Sequence, residues 1–223
     1  MLLVLWDIDG TLVDSAGHGR HAFDDAYEKV LGRPFTDDAV EMAGRTDHQI
    51  AMAMLREECA RLPRMLEELA AALTEREDLI RAEGRPFAGA RQALEALAAR
   101  DGVVQSLLTG NLESNAALKV GAFELDPFLD FEVGGFGSDP HQERGDLVEV
   151  ARERARAKYG EPADTVLVGD TPLDVRAAHA ASARAVAVAT GPYAPEELRA
   201  SGADAVLRDL ADTGAVVAAV AGR

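Results

Sequence analysis

The sequence predicts an α/β fold, in which a parallel sheet is flanked by helices and an all-helical segment is inserted. The chain starts with a short apolar run, Leu2 to Trp6, of the length and character of a buried parallel strand. From Pro86 onward, apolar runs alternate with amphipathic spans, and repeated strand-helix units build parallel sheets with right-handed crossovers. The intervening span 36–83 has no strand pattern and is almost wholly helical in character.

Composition narrows the classes of protein that fit. The chain has 223 residues, enough for one large domain or two smaller ones, and 48% of them are hydrophobic, which is ample for a core. A net charge of −16 disfavours binding to nucleic acid or an anionic membrane. No apolar run approaches the ~20 residues of a membrane span. Cys59 is the only cysteine, which indicates a reducing, cytoplasmic setting.

The inserted segment is predicted to span residues 15–84, which leaves 1–14 and 85–223 for the α/β core. Helical spacing of apolar residues predicts a first helix over 18–31, ended by Gly32. Thr36 and the aspartates after it suggest a capped short helix ending near Gly44. Further helices are expected after Thr46 and from Pro63.

The core elements follow the alternation along the rest of the chain. Strands are predicted at 103–108, 131–133, 165–168, 185–189 and 205–207. Helices are predicted at 89–100, 112–120, 144–159, 172–181, 195–200 and 210–221.

The end of the first strand carries two carboxylates, Asp7 and Asp9. Residues i and i+2 of an extended chain point the same way, so the two side chains are expected to lie together. A hard cation such as Mg²⁺ would offset their repulsion. Gly10 can take a positive φ and turn the backbone away. An EF-hand calcium loop fits poorly, because Gly10 follows Asp9 directly.

Two further strands end in polar residues, Thr109 in LLTGN and Asp170 in VLVGDTPLD. In a parallel sheet these ends share one edge with Asp7, where ligands of α/β proteins collect. Both motifs are also typical of the capped start of a helix. Asp174 follows Asp170 by four residues and can lie on the same side of a helical turn. The spacing does not separate a metal ligand from a supporting acceptor.

Together these motifs resemble the haloacid dehalogenase (HAD) superfamily. DIDGTLVDS looks like the first signature of its capped phosphatases, D-x-D-G-T-[L/V]-x-D-S. Thr109 matches the second signature, and Asp170 with Asp174 matches the fourth, G-D-x-x-x-D. The resemblance implies a Rossmann-like core. The insertion resembles the helical cap of the phosphoglycolate phosphatase-like and β-phosphoglucomutase-like branch.

The third signature of that family is a basic residue, most often lysine, ahead of the helix before the fourth signature. The stretch SDPHQERGDLVEVA has no lysine, and Arg144 is the best candidate. Lys119 and Lys158 are alternatives, although their helical settings are typical of solvated faces.

The resemblance implies a mechanism. Asp7 is the nucleophile that forms an aspartyl phosphate, and Asp9 is the general acid and base. Mg²⁺ is held by the Asp7 carboxylate, the Asp9 carbonyl and Asp170, with Asp174 in support.

The remaining site residues are assigned to the phosphoryl group and the leaving group. Thr109, Gly110 and Asn111 would hold phosphoryl oxygens, and Arg144 would offset their charge. Arg45, in a loop of the insertion, could face the leaving group.

The leading interpretation is a phosphatase acting on a small phosphorylated metabolite, as a monomer or homodimer. A sugar-phosphate mutase would need a second phosphate site, and Arg45 is the only obvious cation in the cap. A non-catalytic metal-binding regulatory module is the other alternative, and the intact acidic motifs argue against it.

Overall fold

The central element of the computed structural model, which describes residues 1–37, 40–140 and 143–222, is a five-stranded parallel sheet. Its strand order is β4-β1-β5-β6-β7. The sheet strands are β1 Leu2–Trp6, β4 Val103–Leu107, β5 Asp164–Gly169, β6 Arg184–Val188 and β7 Ala205–Leu207, and a separate ladder pairs β2 Val13–Asp14 with β3 Arg85–Pro86. The predicted parallel sheet is therefore confirmed.

Helices connect these strands and also form the insertion. They are α1 His18–Leu31, α2 Asp47–Leu55, α3 Leu62–Glu75, α4 Glu77–Glu83, α5 Ala90–Ala98, α6 Glu113–Gly121, α7 Arg144–Tyr159, α8 Pro172–Ala180, α9 Pro195–Ala200 and α10 Thr213–Ala221. Single 3₁₀ segments lie at Arg56–Arg61, Asp126–Phe128 and Phe131–Val133.

The two faces of the sheet are covered by different helices. Successive side chains of a strand point to opposite faces. Val4 and Trp6 of β1 therefore pack in a cluster that includes residues of α5, α6 and α10. Leu3 and Leu5 pack in a second cluster with residues of α7 and α8. Burial on both faces explains why β1 is a continuous apolar run rather than an alternating one.

The helices α1 to α3 form a third hydrophobic cluster, which also contains Leu112 and Ala122 from the core side. The chain leaves and re-enters the sheet region side by side, through the antiparallel pair β2 and β3. Asp14 and Arg85 form an ion pair there at 2.9 Å, and His18 lies 3.0 Å from Glu83. The two segments that connect the insertion to the core are thus held together by backbone pairing and by side-chain contacts.

Two secondary-structure predictions were wrong. Phe131–Val133 is a 3₁₀ turn, because the Asp130 side chain accepts from the backbone N–H of Glu132, and the strand-like pairing falls instead between Leu108 and Gly135. The short helix predicted from Thr36 to Gly44 is absent at 36–37 and 40–44, and Asp38 lies outside the described residues. In this segment the Gly44 carbonyl accepts from Arg144 of the core, and the Met42 carbonyl accepts from the N–H of Arg45 in a turn.

Within the described ranges, no helix has both the length and the apolar character needed to cross a bilayer.

The buried side chain of Gln105 generates a test of the core. Gln105 accepts from Trp6 Nε1 at 3.1 Å and donates to the Leu94 carbonyl at 2.8 Å, so it links two strands and α5. Gln105→Leu leaves the Trp6 N–H and the Leu94 carbonyl without their hydrogen-bond partner. We therefore expect a loss of about 1–3 kcal/mol in the free energy of unfolding, measured by urea denaturation. Trp6→Phe combined with Gln105→Leu should lose less than the sum of the single changes; strict additivity would contradict the linkage.

Candidate active site

Three neighbouring strands end at the same edge of the sheet and place polar residues together there. β1 pairs with both β4 and β5, with Trp6 opposite Leu107 and Val168. The residues that follow these strands therefore emerge side by side. Asp7, Thr109 and Asp170 all line one cavity at this edge. The structure thus brings together the side chains that the strand ends predicted.

Asp7, Asp170 and Asp174 form a buried acidic cluster. Each offers a carboxylate oxygen, and these oxygens lie within 4.8 Å of one another. Asp174 sits in the first turn of α8, where Thr171 is the N-cap and donates through its N–H and hydroxyl to Asp174 Oδ2. The motif GDTPLD is therefore both a capped helix start and part of the acidic cluster.

Arg144 supplies the positive charge inside this cluster. It begins α7 and is only 7% exposed. Its Nη2 lies 2.8 Å from Asp7 Oδ1 and 2.7 Å from Asp174 Oδ1. The same guanidinium donates to the carbonyls of Gly44 and Leu108. Arg144, the candidate for the third signature, thus lies next to Asp7.

Charge and burial shift the pKa values of these carboxyl groups. Burial raises the pKa of Asp7 to about 7, against the opposing charge of Arg144. Burial, with the charges of Asp7 and Asp174, raises the pKa of Asp170 well above its usual range. Three acids in one desolvated cluster are thus incompletely compensated by one guanidinium.

Asp9 lies in a different electrostatic setting. Its carboxylate faces the cavity and accepts from Lys119 Nζ at 2.7 and 2.8 Å and from Asn111 Nδ2 at 2.8 Å. Partial desolvation would raise the pKa of Asp9, but the charge of Lys119 and these hydrogen bonds outweigh it, so the pKa of Asp9 lies below its usual value. The pKa values of Asp7 and Asp9, two residues apart, are therefore shifted in opposite directions.

The expectation that Lys119 belongs to a solvated helix face was wrong. Lys119 is 4% exposed and points into the cavity from α6. The missed signal is its register: Asn115 and Lys119 are four residues apart, beside the buried Ala116 and Val120 of the same helix. Lys158, the other alternative, is partly exposed and bonds to Asp130 at 2.7 Å.

Thr109, Gly110 and Asn111 form the loop after β4. The Thr109 hydroxyl accepts from Asn111 Nδ2 at 2.8 Å. A Cβ added at Gly110 would lie 2.1 Å from the carbonyl oxygen of Arg45, so only glycine allows this approach of the insertion to the core. The N–H of Asp47 donates to the Gly110 carbonyl at 2.7 Å.

Arg45 lines the cavity from the insertion side. Its side chain is partly exposed and lies 3.8 Å from Glu41. The neighbouring Asp47 was not predicted as a site residue. Its carboxylate accepts from the Leu112 N–H at 2.9 Å, and burial raises the pKa of Asp47 to about 6. The backbone N–H at the start of α6 thus donates to a residue of the insertion, and not to a side chain of the preceding LLTGN motif.

The acidic cluster fits a hard divalent cation. Asp174 Oδ1 is buried and accepts no aligned hydrogen bond, although Arg144 lies near it. The Asp170 carboxylate occupies space that exists only because of two glycines: an added Cβ would lie 2.3 Å from it at Gly10 and 1.7 Å at Gly191. Gly10 has φ +82°, as its sequence position predicted. Clustered oxygen ligands with excess negative charge are what Mg²⁺ prefers.

The raised pKa of Asp7 generates a stability prediction for the metal-free protein. Between the usual 3.8 and about 7, the folded state binds a proton that the unfolded state lacks. Asp7 should therefore make the free energy of unfolding fall as pH rises through this window, by up to about 1.4 kcal/mol per pH unit, and Asp170, whose pKa is also raised, should add to the fall. Asp7→Asn should reduce that slope, measured by urea denaturation from pH 5 to 8, whereas the exposed control Asp146→Asn should keep it. Equal slopes in both variants would contradict the assignment.

Comparison with known proteins shows what this chain is similar to. A hydrolase family model described as haloacid dehalogenase-like hydrolase matches residues 1–182. The "Probable phosphatase IndB" of Dickeya dadantii (strain 3937) is 29% identical over 208 residues, which cover 89% of this chain and 86% of that protein.

Solved structures share the fold. A predicted phosphatase from Clostridium acetobutylicum superposes with a TM-score of 0.76 at 18% identity, covering 96% of this chain and 97% of that one. A hydrolase from Pseudomonas syringae gives a TM-score of 0.73 at 22% identity, with 95% of each chain covered. The family match over residues 1–182, together with the acidic strand ends described above, shows that this chain belongs to the haloacid dehalogenase-like hydrolases.

Proposed function

We propose that this protein is a Mg²⁺-dependent phosphatase that hydrolyses a small phosphate monoester through an aspartyl phosphate on Asp7. The observation that carries the proposal is the pairing of Asp7 with Arg144 at 2.8 Å, inside an acidic cluster at the edge of a cavity. A carboxylate oriented in this way can attack phosphorus in line. The phosphatase name of the Dickeya dadantii relative is consistent with this activity.

Two aspartates divide the acid-base work in this proposal. Asp7 attacks phosphorus, and Asp9 transfers a proton to the leaving oxygen. Asp9 then accepts a proton from the water that attacks the phosphoenzyme. The hydrogen bonds from Lys119 and Asn111 to Asp9 hold its carboxylate at the wall of the cavity that Asp7 also lines.

Charge on the transferring phosphoryl group would be met by fixed donors. The guanidinium of Arg144 offers paired N–H groups, and the loop Thr109 to Asn111 offers a hydroxyl and backbone amides. These groups are held by the sheet and by α7, so they need little rearrangement when charge develops.

Asp7, Asp170 and the Asp9 carbonyl would hold Mg²⁺, and Asp174 would support them through Arg144. When bound, the cation neutralises phosphate charge and the crowded carboxylates. The burial of Asp170 and its raised pKa support this assignment, because a divalent cation would stabilise the ionised cluster.

Residues 15–84 would act as a cap over the site. The cavity measures about 300 Å³ and is lined on one side by Arg45, Phe23 and Ile50 of this segment. Its size suits a small phosphorylated metabolite. The paired crossings at β2 and β3 are where a hinge between cap and core would lie.

The first functional prediction concerns Asp7. The wild-type protein should hydrolyse p-nitrophenyl phosphate with Mg²⁺ and lose turnover when the metal is chelated. Asp7→Asn should lower kcat by several orders of magnitude, because the amide is not an anionic nucleophile. The surface change Asp146→Asn should leave kcat unaltered. Wild-type protein without Mg²⁺-dependent turnover on any phosphate monoester of a broad panel would refute the proposed function.

The second concerns Arg144. Arg144→Ala leaves Asp7 and Asp174 without their shared cation, and we expect kcat to fall roughly ten- to a hundredfold or more. Arg144→Lys keeps the positive charge but loses the paired donors of the planar guanidinium, so part of the activity should remain. Arg154→Ala removes another arginine-carboxylate pair, with Asp139, from the same helix and serves as the control. Full kcat in Arg144→Ala would remove Arg144 from the phosphoryl site.

A further inference from the structure

The buried ammonium of Lys119 is the least expected group in the cavity. Burying a lysine charge is costly unless it is paired, so a position that is 4% exposed needs partners. Lys119 Nζ has three: Asp9 Oδ1 at 2.8 Å, Asp9 Oδ2 at 2.7 Å and Asn111 Oδ1 at 2.7 Å. The ammonium therefore binds the whole Asp9 carboxylate rather than one edge of it.

Asn111 extends this contact into a chain of hydrogen bonds. Its Nδ2 donates to Asp9 Oδ2 and to Thr109 Oγ1, each at 2.8 Å, while its Oδ1 accepts from Lys119. Ser15 Oγ adds a long contact of 3.4 Å to Asp9 Oδ1. Asp9, from the loop after β1, is thus fixed to residues that follow β4 and to α6.

Asp9 needs such support because of where it lies. Its side chain faces the cavity and remains 44% accessible to solvent, in contrast to the enclosed Asp7 and Asp174. A short side chain on a loop could otherwise rotate, and misplacement by about 1 Å can cost roughly a hundredfold in rate. Lys119 and Asn111 remove that freedom.

We propose that Lys119 is a positioning residue that holds the Asp9 carboxylate in place to receive the proton of the attacking water; this role rests on the proposed phosphatase function. In that step the water oxygen bonds to phosphorus, the bond between phosphorus and the Asp7 oxygen breaks, and the water proton passes to Asp9. Asp7 is regenerated as a carboxylate. Lys119 acts through Asp9, not on the phosphoryl group.

This role predicts that Lys119→Met affects the two half-reactions unequally. Transfer of phosphate from p-nitrophenyl phosphate needs little acid assistance, because p-nitrophenolate is a good leaving group. The value of kcat/KM, which reports that transfer, should change less than about threefold. Breakdown of the phosphoenzyme should slow at least about tenfold, so kcat and KM fall together and phosphoenzyme accumulates. Acid-quench trapping with ³²P-labelled phosphate ester measures the accumulation.

Three variants separate positioning from a structural role. Asp9→Asn should show the same division between kcat and kcat/KM. Asp9→Asn combined with Lys119→Met removes both charges, so no unpaired ion is left buried, and it should lose nothing beyond Asp9→Asn alone. Lys158→Met breaks a lysine-aspartate contact, with Asp130, away from the cavity and should match wild type.

Several outcomes would overturn the role of Lys119. They are a raised KM at unchanged kcat, equal losses of kcat and kcat/KM in folded protein, a further loss in the double variant, or wild-type kinetics in Lys119→Met. Wild-type protein that hydrolyses no phosphate ester would instead refute the proposed function on which this role rests.

Discussion

The ion pairs of Arg144 hold the site together. Asp7 and Asp174 are both buried, and an isolated buried carboxylate is strongly disfavoured. One guanidinium lies within 2.8 Å of both, and it also donates to the backbone of Gly44 and Leu108. The same side chain therefore compensates the acids, fixes the orientation of Asp7 and bonds the inserted segment to the core.

A second cation gives the site its asymmetry. Lys119 binds Asp9 and leaves Asp7 to Arg144, so each carboxylate has its own partner. Burial raises the pKa of Asp7, whereas the Lys119 charge and hydrogen bonds overcome burial and lower that of Asp9. In the metal-free protein these shifts favour a proton on Asp7 and an ionised Asp9. The proposed nucleophile must be ionised, and a divalent cation bound at the acidic cluster would favour that form of Asp7.

The contact between the insertion and the core depends on backbone proximity. Gly110 allows the Arg45 carbonyl to approach, and Asp47 bonds the loop after β4 through its N–H and the start of α6 through its carboxylate. The cavity is bounded by residues of the insertion and of the core. Under the proposed function, residues of the insertion would therefore influence which leaving group fits.

The sequence by itself determined the parallel sheet, the helical insertion and the strand ends that meet, because hydrophobic periodicity and strand-helix alternation are local signals. Tertiary structure decided the rest. Phe131–Val133 forms a 3₁₀ turn, in which the Asp130 side chain accepts from the N–H of Glu132. Lys119 and Asp47 line the cavity, and local sequence does not show this because their partners, Asp9 and Leu112, lie 110 and 65 residues away in the chain. The register of a helix can indicate that a side chain faces inward, but the identity of such distant partners has no local pattern, since it depends on which helix faces which strand end.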